Sequence, residues 1–472
     1  MPVSAADMRA PVQPAVTPAN WSGFYLGGHL GGGFGVAHVA NPYGPSIYGD
    51  TVRVPKAFAG VQAGYNWQIP GAGWLFGIEA DISAVDGDGT DTCLAYSGQF
   101  VSANCRIRDR ALGTITGRLG HVFGPYGRSL AYIKGGAAFL LNDASITTNA
   151  WDYSSQSPAR ANGVSWGWTI GAGFEHALSA AWSIKADYSY ARFAARGIQA
   201  PGGGILDVPF DRTTLIDTVG LPTEVRQDAH LVKVGLNYHF NRGIGAPGTP
   251  SSALPIKMPA PSADWRIEVG SRYWYSTGRY QNDLGMSTAA AFQDHLVSRL
   301  TYSSTTHSGE VFWRIDSPHR LFLKGFAGLG RHSSGHMNDE DWFPTDPDFA
   351  MAYSNTTHGN VTGTIGYATL DLGADLFESP LGKIGLFAGY NFYRDRKDSF
   401  GCTQIALPDL QSVCGTPFAP DRLAITQNED WHSLRLGVNA SLTIMPGLKA
   451  TIDAAYLPYV HVSALDIHHN RT

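Results

Sequence analysis

The sequence predicts an all-β fold made of two tandem transmembrane antiparallel β-barrels. Apolar and polar residues alternate in segments spread through most of the 472 residues, which is the period of a β-strand with one apolar face. No run of about 18 apolar residues exists, which excludes helical membrane spans but leaves membrane strands open. Charged residues are 15% of the chain, against roughly 25% in ordinary soluble domains, so the composition also favours a membrane barrel.

A seam near the middle of the chain separates the two predicted barrels. The segment HLVKVGLNYHF, residues 230–240, alternates strictly and ends on Phe240. This ending resembles the terminal strand of bacterial outer-membrane barrels. The residues that follow are rich in Pro, Gly and Ser and show no strand or helix period. We therefore predict a tail over 1–19, a first barrel over 20–241, a linker over 242–262 and a second barrel over 263–472.

The tail carries a possible processing signal. Residues 3–7, VSAAD, resemble the small-residue end of a signal peptide. This resemblance predicts a signal-peptide remnant, and a disordered tail is the alternative.

The first barrel is predicted to have eight strands. They lie at roughly 21–37, 56–69, 74–84, 111–123, 129–141, 164–176, 182–192 and 229–240. Short turns alternate with long connections between them, as in outer-membrane barrels with short periplasmic turns and long outer loops. An eight-strand barrel is just wide enough to be filled by side chains, so a solute pore is not expected.

The two faces of these strands differ in charge. One face is rich in Trp, Tyr, Phe and Ile, and the other carries four acidic and four basic residues: Glu79, Asp81, Glu175, Asp187, Arg118, Lys134, Lys185 and Lys233. Because charges are costly in lipid, we expect them to pair with one another inside the barrel. A soluble lipocalin-like barrel, with the apolar face inside, is the competing interpretation.

Several segments of the first region resemble a known family. WSGFYLGGHLGGGFG, VQAGYNWQ, GRLGHVFG and WTIGAGFEHALSAAWSIKADYSY are similar to the small opacity-type outer-membrane proteins of alpha-proteobacteria. The resemblance implies the outer membrane of a Gram-negative cell, contact with lipid and lipopolysaccharide, and a structural, adhesive or haem-binding role. It implies no catalytic residues.

The four cysteines form two pairs with the same spacing, Cys93/Cys105 and Cys402/Cys414. Both lie in polar, loop-like segments without metal-site spacing, so we predict two local disulfides in an oxidising compartment. Free thiols are the alternative.

The second region contains about seven strands and two short motifs with chemical potential. Asp339 and Asp341 are two residues apart in the predicted loop HMNDEDW, so an extended chain places both carboxylates on one face. Asp466 and His468 have the same spacing near the end of the sequence. A carboxylate beside an imidazole can orient the ring and favour it as a general base for water.

These motifs, with SRLTY and LFAGYNFYRD, resemble the omptins, the outer-membrane proteases. The resemblance implies that Asp339 and Asp341 face an Asp466–His468 pair across a groove, and that a water between them attacks the peptide bond. Omptins with a preference for basic residues carry an acidic residue two positions before the site Asp. Ala464 occupies that position, so the preference does not carry over.

The strand count also departs from the omptin pattern. Seven strands compare with ten in the family, and the sequence ends four residues after His468. The expectation is therefore an omptin-like barrel that is incomplete at its C-terminal end and inactive in that form. Either the sequence is truncated, or another chain completes the barrel, or the domain is a remnant. The alternative function is a non-enzymatic structural or adhesin-type protein.

Other ligands are not predicted. His461, His468 and His469 do not match a metal-site spacing, and no cofactor is expected. The net charge of −5 gives no reason to expect nucleic acid. Peptides at the cell surface are the expected substrates, and the sequence leaves the oligomeric state open.

Overall fold

The computed structural model describes residues 19–96, 102–124, 127–148, 158–200, 203–207, 211–218, 220–241, 264–285, 296–342, 353–379, 382–406, 414, 418–445 and 448–469. The predicted linker over 242–262 and nearly all of the predicted tail over 1–19 lie outside these residues. Within them, no helix is long and apolar enough to cross a membrane.

Twenty β-strands make up the described structure. They are β1 (Gly23–Val39), β2 (Ser46–Tyr48), β3 (Thr51–Gln68), β4 (Trp74–Cys93), β5 (Ala95–Tyr96), β6 (Ala103–Phe123), β7 (Ser129–Thr148), β8 (Ala159–Ala177), β9 (Trp182–Phe193), β10 (Arg196–Gln199), β11 (Gly203–Asp207), β12 (Asp211–Thr218), β13 (Pro222–His239), β14 (Arg266–Gly285), β15 (Leu296–Asp316), β16 (Leu321–Trp342), β17 (Tyr353–Ser379), β18 (Gly382–Gln404), β19 (Leu423–Met445) and β20 (Leu448–His468).

The first sheet closes into an eight-strand antiparallel barrel, as predicted. The barrel strands follow the order β1-β3-β4-β6-β7-β8-β9-β13, and β13 pairs back onto β1 from Tyr25↔His239 to Val39↔Val225. The short strand β10 also belongs to this sheet and pairs with the outer end of β13. Closure gives both otherwise open strand edges a hydrogen-bonding partner, which a sheet surrounded by lipid requires.

The predicted charges lie inside this barrel and form ion pairs. All eight are at least nine-tenths buried. Lys185 Nζ donates to both carboxylate oxygens of Glu79 at 2.8 Å, and Lys233 Nζ lies 2.6 Å from Asp81 Oδ1. Lys134 Nζ is 2.5 Å from Asp187 Oδ1. The interior is therefore filled by paired charges, and the lipocalin-like alternative is wrong because the apolar face points outward.

The outward face has an aliphatic band between two aromatic belts. The belt near the short turns contains Phe24, Trp182, Tyr238 and Phe240 in mutual ring contact. The belt towards the long loops contains Phe34, Phe139, Trp166, Trp168, Tyr188, Tyr190 and His230. Exposed Ile115, Ile133, Ile170 and Val232 lie between them. Phe240, just past the end of β13, is ten residues from His230 in the other belt. In a tilted strand that is about 25 Å, the height of the apolar band of membrane barrels.

The second sheet has seven described strands in consecutive order, β14 to β20, as predicted. Within the described residues, β14 and β20 are its two edges. The sheet is nevertheless curled, because Lys449 on β20 lies 3.4 Å from Glu268 on β14. Lumen-side ion pairs join more distant strands, including Arg314–Asp375 at 3.1 Å and Arg435–Asp371 at 3.0 Å.

The outer aromatic belt recurs on the second sheet. In the first barrel, the Tyr188 hydroxyl donates to His230 Nδ1. The second sheet contains two pairs of the same kind, Tyr273 with His307 and Tyr390 with His432. Residues beyond these pairs, at the ends of the strands opposite the short turns, lie outside the apolar band. We call these parts of the strands the outer ends.

The predicted disulfides are present, but the loop assignment of several residues is wrong. Cys93 bonds to Cys105 and Cys402 to Cys414, with Cα atoms 5.9 and 5.6 Å apart. Cys93, Cys105 and Cys402 lie in strands, as do Asp339, Asp341, Asp466 and His468. The strands continue past the apolar band. There, both faces are polar or packed against protein, so the apolar alternation by which a strand is predicted is absent and these residues resemble loops in the sequence.

Candidate functional site

The aspartate pair lies on the inner face of β16 at its outer end. Asp339 pairs with Leu300 of β15, and Asp341 with Ser298, so all four side chains share one face. A β-bulge opposite Thr305 and Thr306 shifts the register below the pair. The bulge changes which residues of β16 face the lumen. Before the bulge, even-numbered residues such as Lys324 face it, and after the bulge, odd-numbered residues such as Asp339 and Asp341 do.

The Asp–His pair lies on the inner face of β20 at the same end. His468 Nε2 and Asp466 Oδ2 are 2.8 Å apart, and their cross-strand neighbours on β19 are Ile425 and Gln427. A second bulge, at Leu434 and Leu436, again shifts the register below the pair. The predicted hydrogen bond between carboxylate and imidazole is therefore formed.

The two pairs converge across the lumen of the curled sheet. Leu300, beside Asp339, and Ile425, beside His468, belong to one buried apolar cluster with Tyr302 and Met337. Burial raises the pKa of the Tyr302 phenol, and the nearby carboxylates of Asp466 and Asp339 raise that pKa further. Asp339 and Asp466 are thus both near Tyr302, and Asp341 and His468 are the next inward-facing residues on the same two strands.

Several buried polar atoms at this site have no hydrogen-bond partner among the described residues. They are the Tyr302 hydroxyl, Asp466 Oδ1 and both side-chain amide atoms of Gln427. Gln427 lies directly across the strand from Asp466. Because buried polar atoms are nearly always satisfied, such a group marks a place where water or a polar ligand binds.

A second histidine adjoins the site. His358 Nδ1 lies 2.6 Å from the carbonyl oxygen of Gly401, and the ring also contacts Thr356. Burial lowers the pKa of His358, and the proximity of His468 lowers it further. Both effects favour the neutral form of the His358 ring beside the Asp–His pair. Sequence reasoning missed this residue, because a lone His in a polar strand carries no motif.

A cavity of about 250 Å³ lies beside the site and is lined by opposed charges and by Tyr280, whose ring contacts that of Tyr302. Lys397 lies 2.8 Å from Asp395 and 3.3 Å from Glu429, and His332 Nε2 lies 2.7 Å from Asp395. Burial raises the pKa of the Glu429 carboxyl, although Lys397 lowers it. Glu429 is the cross-strand neighbour of Ala464, the position at which omptins with a preference for basic residues carry an acidic residue. An acidic side chain is therefore present next to that position.

The three C-terminal histidines do not form a cluster. His461 faces outward against His432, whereas His468 faces the lumen. In the part of the chain that the structure describes, no three His, Cys, Asp or Glu side chains are placed to hold a metal ion.

The family that matches this chain covers the first barrel. A family model described as "Outer membrane protein beta-barrel domain" matches residues 4–240, half of the chain. The 31 kDa outer-membrane immunogenic protein of Brucella melitensis is 27% identical over 256 residues, covering 50% of this chain and 91% of that protein. The protein of the same name from Brucella suis matches over the same length at the same identity.

Two solved structures are similar to 46% of this chain. Neisserial surface protein A is covered to 98%, with 16% identity and a TM-score of 0.19. Ail, the attachment invasion locus protein of Yersinia pestis, is covered to 99%, with 12% identity and a TM-score of 0.20.

Proposed function

The chain belongs to the family of outer membrane protein β-barrel domains, and from this premise we propose that its second sheet is a surface endopeptidase that uses an aspartate–histidine pair. The protein resides in the outer membrane of a Gram-negative cell, where its outward apolar face contacts lipid and lipopolysaccharide. The outer ends of β16 and β20 lie beyond the apolar band, so a site there is open to peptides outside the cell.

One observation carries the proposal: Leu300, the cross-strand neighbour of Asp339, and Ile425, the cross-strand neighbour of His468, pack in one buried cluster with Tyr302, so the two motifs meet from separate strands. Either motif alone is compatible with a solvated strand end. Their convergence, together with the unsatisfied Tyr302 hydroxyl and Asp466 Oδ1, provides acceptors and donors around a small polar space. That arrangement suits the binding and activation of a water molecule.

The proposed reaction is hydrolysis of a peptide bond without a covalent intermediate. Asp466 accepts the Nε2 proton of His468 and so fixes the ring, which leaves Nδ1 as the base. Nδ1 takes a proton as water attacks the carbonyl carbon, and the same proton passes to the leaving amine. Asp339 and Asp341 orient the attacking water from the opposite side of the lumen.

The test uses the chain with strands added between β20 and β14 to close the second barrel, because the seven-strand form is expected to be inactive. This protein is folded in vesicles of phospholipid and lipopolysaccharide and incubated with a mixed peptide library. His468→Ala should lower the cleavage rate by roughly 10²–10⁴-fold, because it removes the general base. His461→Ala is the matched control: it lies on the same strand but faces outward, so its rate should stay at the wild-type value. Covalent inhibitors of serine and cysteine proteases should have no effect. A folded wild type that cleaves no peptide, or a His468→Ala variant as fast as wild type, would refute the peptidase.

A non-enzymatic structural or adhesive role is the second candidate, and one observation favours it. The described lumen of the first barrel is filled by buried ion pairs, so this barrel has the features of a rigid membrane anchor. The Brucella relatives are named as immunogenic outer-membrane proteins. Absence of cleavage by the folded wild type in the same assay would leave this candidate standing.

A further inference from the structure

The first barrel contacts the second sheet through a disulfide-bonded hairpin at its outer end. This cystine hairpin comprises the outer ends of β4 and β6, residues 91–96 and 102–105 in the described structure, with Cys93 bonded to Cys105. It lies against the outward faces of β14, β15 and β16. In this region the second sheet has no lipid to pack against, because these residues are beyond the outer aromatic belt.

Arg299 of β15 is the centre of the contact. Its side chain is fully buried and uses all its nitrogens. Nε and Nη2 donate to the two oxygens of Asp283 at 2.8 Å. Nη1 donates to Thr92 Oγ1 and Nη2 to Asn104 Oδ1, each at 2.9 Å. Two of these partners belong to the cystine hairpin, so Arg299 joins the two domains.

Contacts on β14 and β16 surround this arginine. Thr92 donates to Glu340 Oε2 at 2.9 Å, so its hydroxyl accepts from Arg299 and donates to Glu340. Arg279 Nη2 donates to Asp91 Oδ1 at 2.6 Å.

An apolar contact lies beside these polar ones. Trp342 is fully buried and packs with Ala95 and Ala406. Its indole Nε1 donates to Ser102 Oγ at 2.7 Å. Trp342 thus adds an apolar contact to the polar contact that Glu340 of the same strand makes with the hairpin.

The contact lies directly behind the aspartate pair. Arg299 and Glu340 are cross-strand partners, and this outward-facing pair falls between the inward-facing pairs Leu300↔Asp339 and Ser298↔Asp341. Asp339 and Asp341 are the two sequence neighbours of Glu340. A shift of the Glu340 backbone therefore moves both carboxylates, because side chains alternate across a strand whose backbone is one continuous unit.

We propose that the cystine hairpin of the first barrel is a positioning element for Asp339 and Asp341 in the second sheet. This inference rests on the proposed peptidase function. The disulfide holds the hairpin in one register, and the hairpin holds Arg299 and Glu340. A functional group on a strand that projects from the membrane needs such a support, since a displacement of about 1 Å can cost roughly 10²-fold in rate.

The central variant is Thr92→Val, which keeps the shape of the side chain and removes the hydroxyl shared by Arg299 and Glu340. A second variant replaces the disulfide, Cys93→Ser with Cys105→Ser, and leaves Cys402–Cys414 intact. Arg108→Gln is the control, because Arg108 pairs with Asp88 on the exposed side of the same two strands. Two quantities are measured for each protein with its second barrel closed as above: steady-state peptide cleavage, and hydrogen exchange of the backbone amides in 337–342.

Thr92→Val and the double Cys→Ser variant should lower kcat by between roughly 10- and 100-fold with KM within about twofold of wild type, because the aspartates orient water rather than bind peptide. Exchange in 337–342 should accelerate while exchange in the strands within the apolar band stays unchanged. Arg108→Gln should match wild type in both measurements.

The outcomes separate this inference from the proposed function. An active wild type whose Thr92→Val variant keeps the wild-type kcat would overturn the positioning role and leave the peptidase intact. An unchanged exchange rate in 337–342 in the double Cys→Ser variant would also overturn it. A folded wild type that cleaves nothing would overturn both.

Discussion

Replacing Lys185 by methionine tests whether the first barrel depends on its buried ion pairs. Lys185 is 1% exposed on its side chain, and its Nζ contacts both oxygens of Glu79 at 2.8 Å and Asp187 at 3.5 Å. Methionine keeps most of the length and removes the charge, so Glu79 becomes a buried carboxylate with less compensation. Breaking one partner of a buried pair typically costs about 3–5 kcal/mol.

The structure places the expected loss at the low end of this range, about 3 kcal/mol. Glu79 keeps two other partners, since Arg118 Nη1 lies 3.7 Å away and the Tyr25 hydroxyl donates to it at 2.7 Å. Asp187 keeps Lys134. A loss of this size corresponds to roughly a hundredfold change in the folding equilibrium constant.

The assay is reversible urea unfolding in phospholipid vesicles, followed by tryptophan fluorescence. Lys185→Met combined with Glu79→Gln should recover most of the loss, because no unpaired charge remains between the two positions. Arg106→Met is the exposed control: its pair with Asp88 is more than two-fifths exposed on both sides and should contribute less than about 1 kcal/mol. A single Lys185→Met variant within about 1 kcal/mol of wild type would refute the requirement for lumen pairing.

Two further outcomes are expected. Ile170→Arg should reduce the stability of the inserted barrel by about 2–4 kcal/mol in the same vesicle assay, because Ile170 is 58% exposed within the aliphatic band between the aromatic belts. Ile170→Leu should keep the wild-type stability. Equal stability of the two variants would show that Ile170 does not face lipid. Because burial raises the pKa of Glu429 above its ordinary 4.5, the folded chain binds the proton more tightly than the unfolded chain, so the free energy of unfolding should fall as pH rises above 4.5. Glu429→Gln should flatten that fall, and an unchanged pH profile would contradict the assignment.

Most of the architecture could be predicted from the sequence because lipid imposes a strict two-sided pattern. Inside the apolar band, one face must be apolar and the other must pair its charges, so strands and faces are visible in the residues themselves. Alternation places Glu79 and Lys185 on one face, and the cost of charge in lipid predicts that this face is the lumen; the structure confirms their pairing. Beyond the band this constraint disappears, and the predicted strands end too early, as at Cys105 and Cys402.

The site was only partly predictable for a related reason. The motifs Asp339-x-Asp341 and Asp466-x-His468 depend on local spacing, which a sequence shows directly. Their convergence depends on the curl of the sheet and on two bulges, which reverse the alternation between the apolar band and the site. Tyr302 and Gln427 belong to the site only through that curl. Arg299 and Glu340 are ordinary charged residues in the sequence, and only the position of the first barrel makes them buried partners.

Strand order along the chain has a consequence for the timing of assembly. Closing the first barrel brings Tyr25 to His239, so this step waits until nearly all of that domain has been made and pays the loop-closure entropy of the whole segment. Every neighbouring pair in the second sheet is instead consecutive in the chain, so the sheet can grow one hairpin at a time. The strands β4 and β6 reach their final positions only in the closed barrel. The contact between the cystine hairpin and β16, which carries Asp339 and Asp341, therefore forms last.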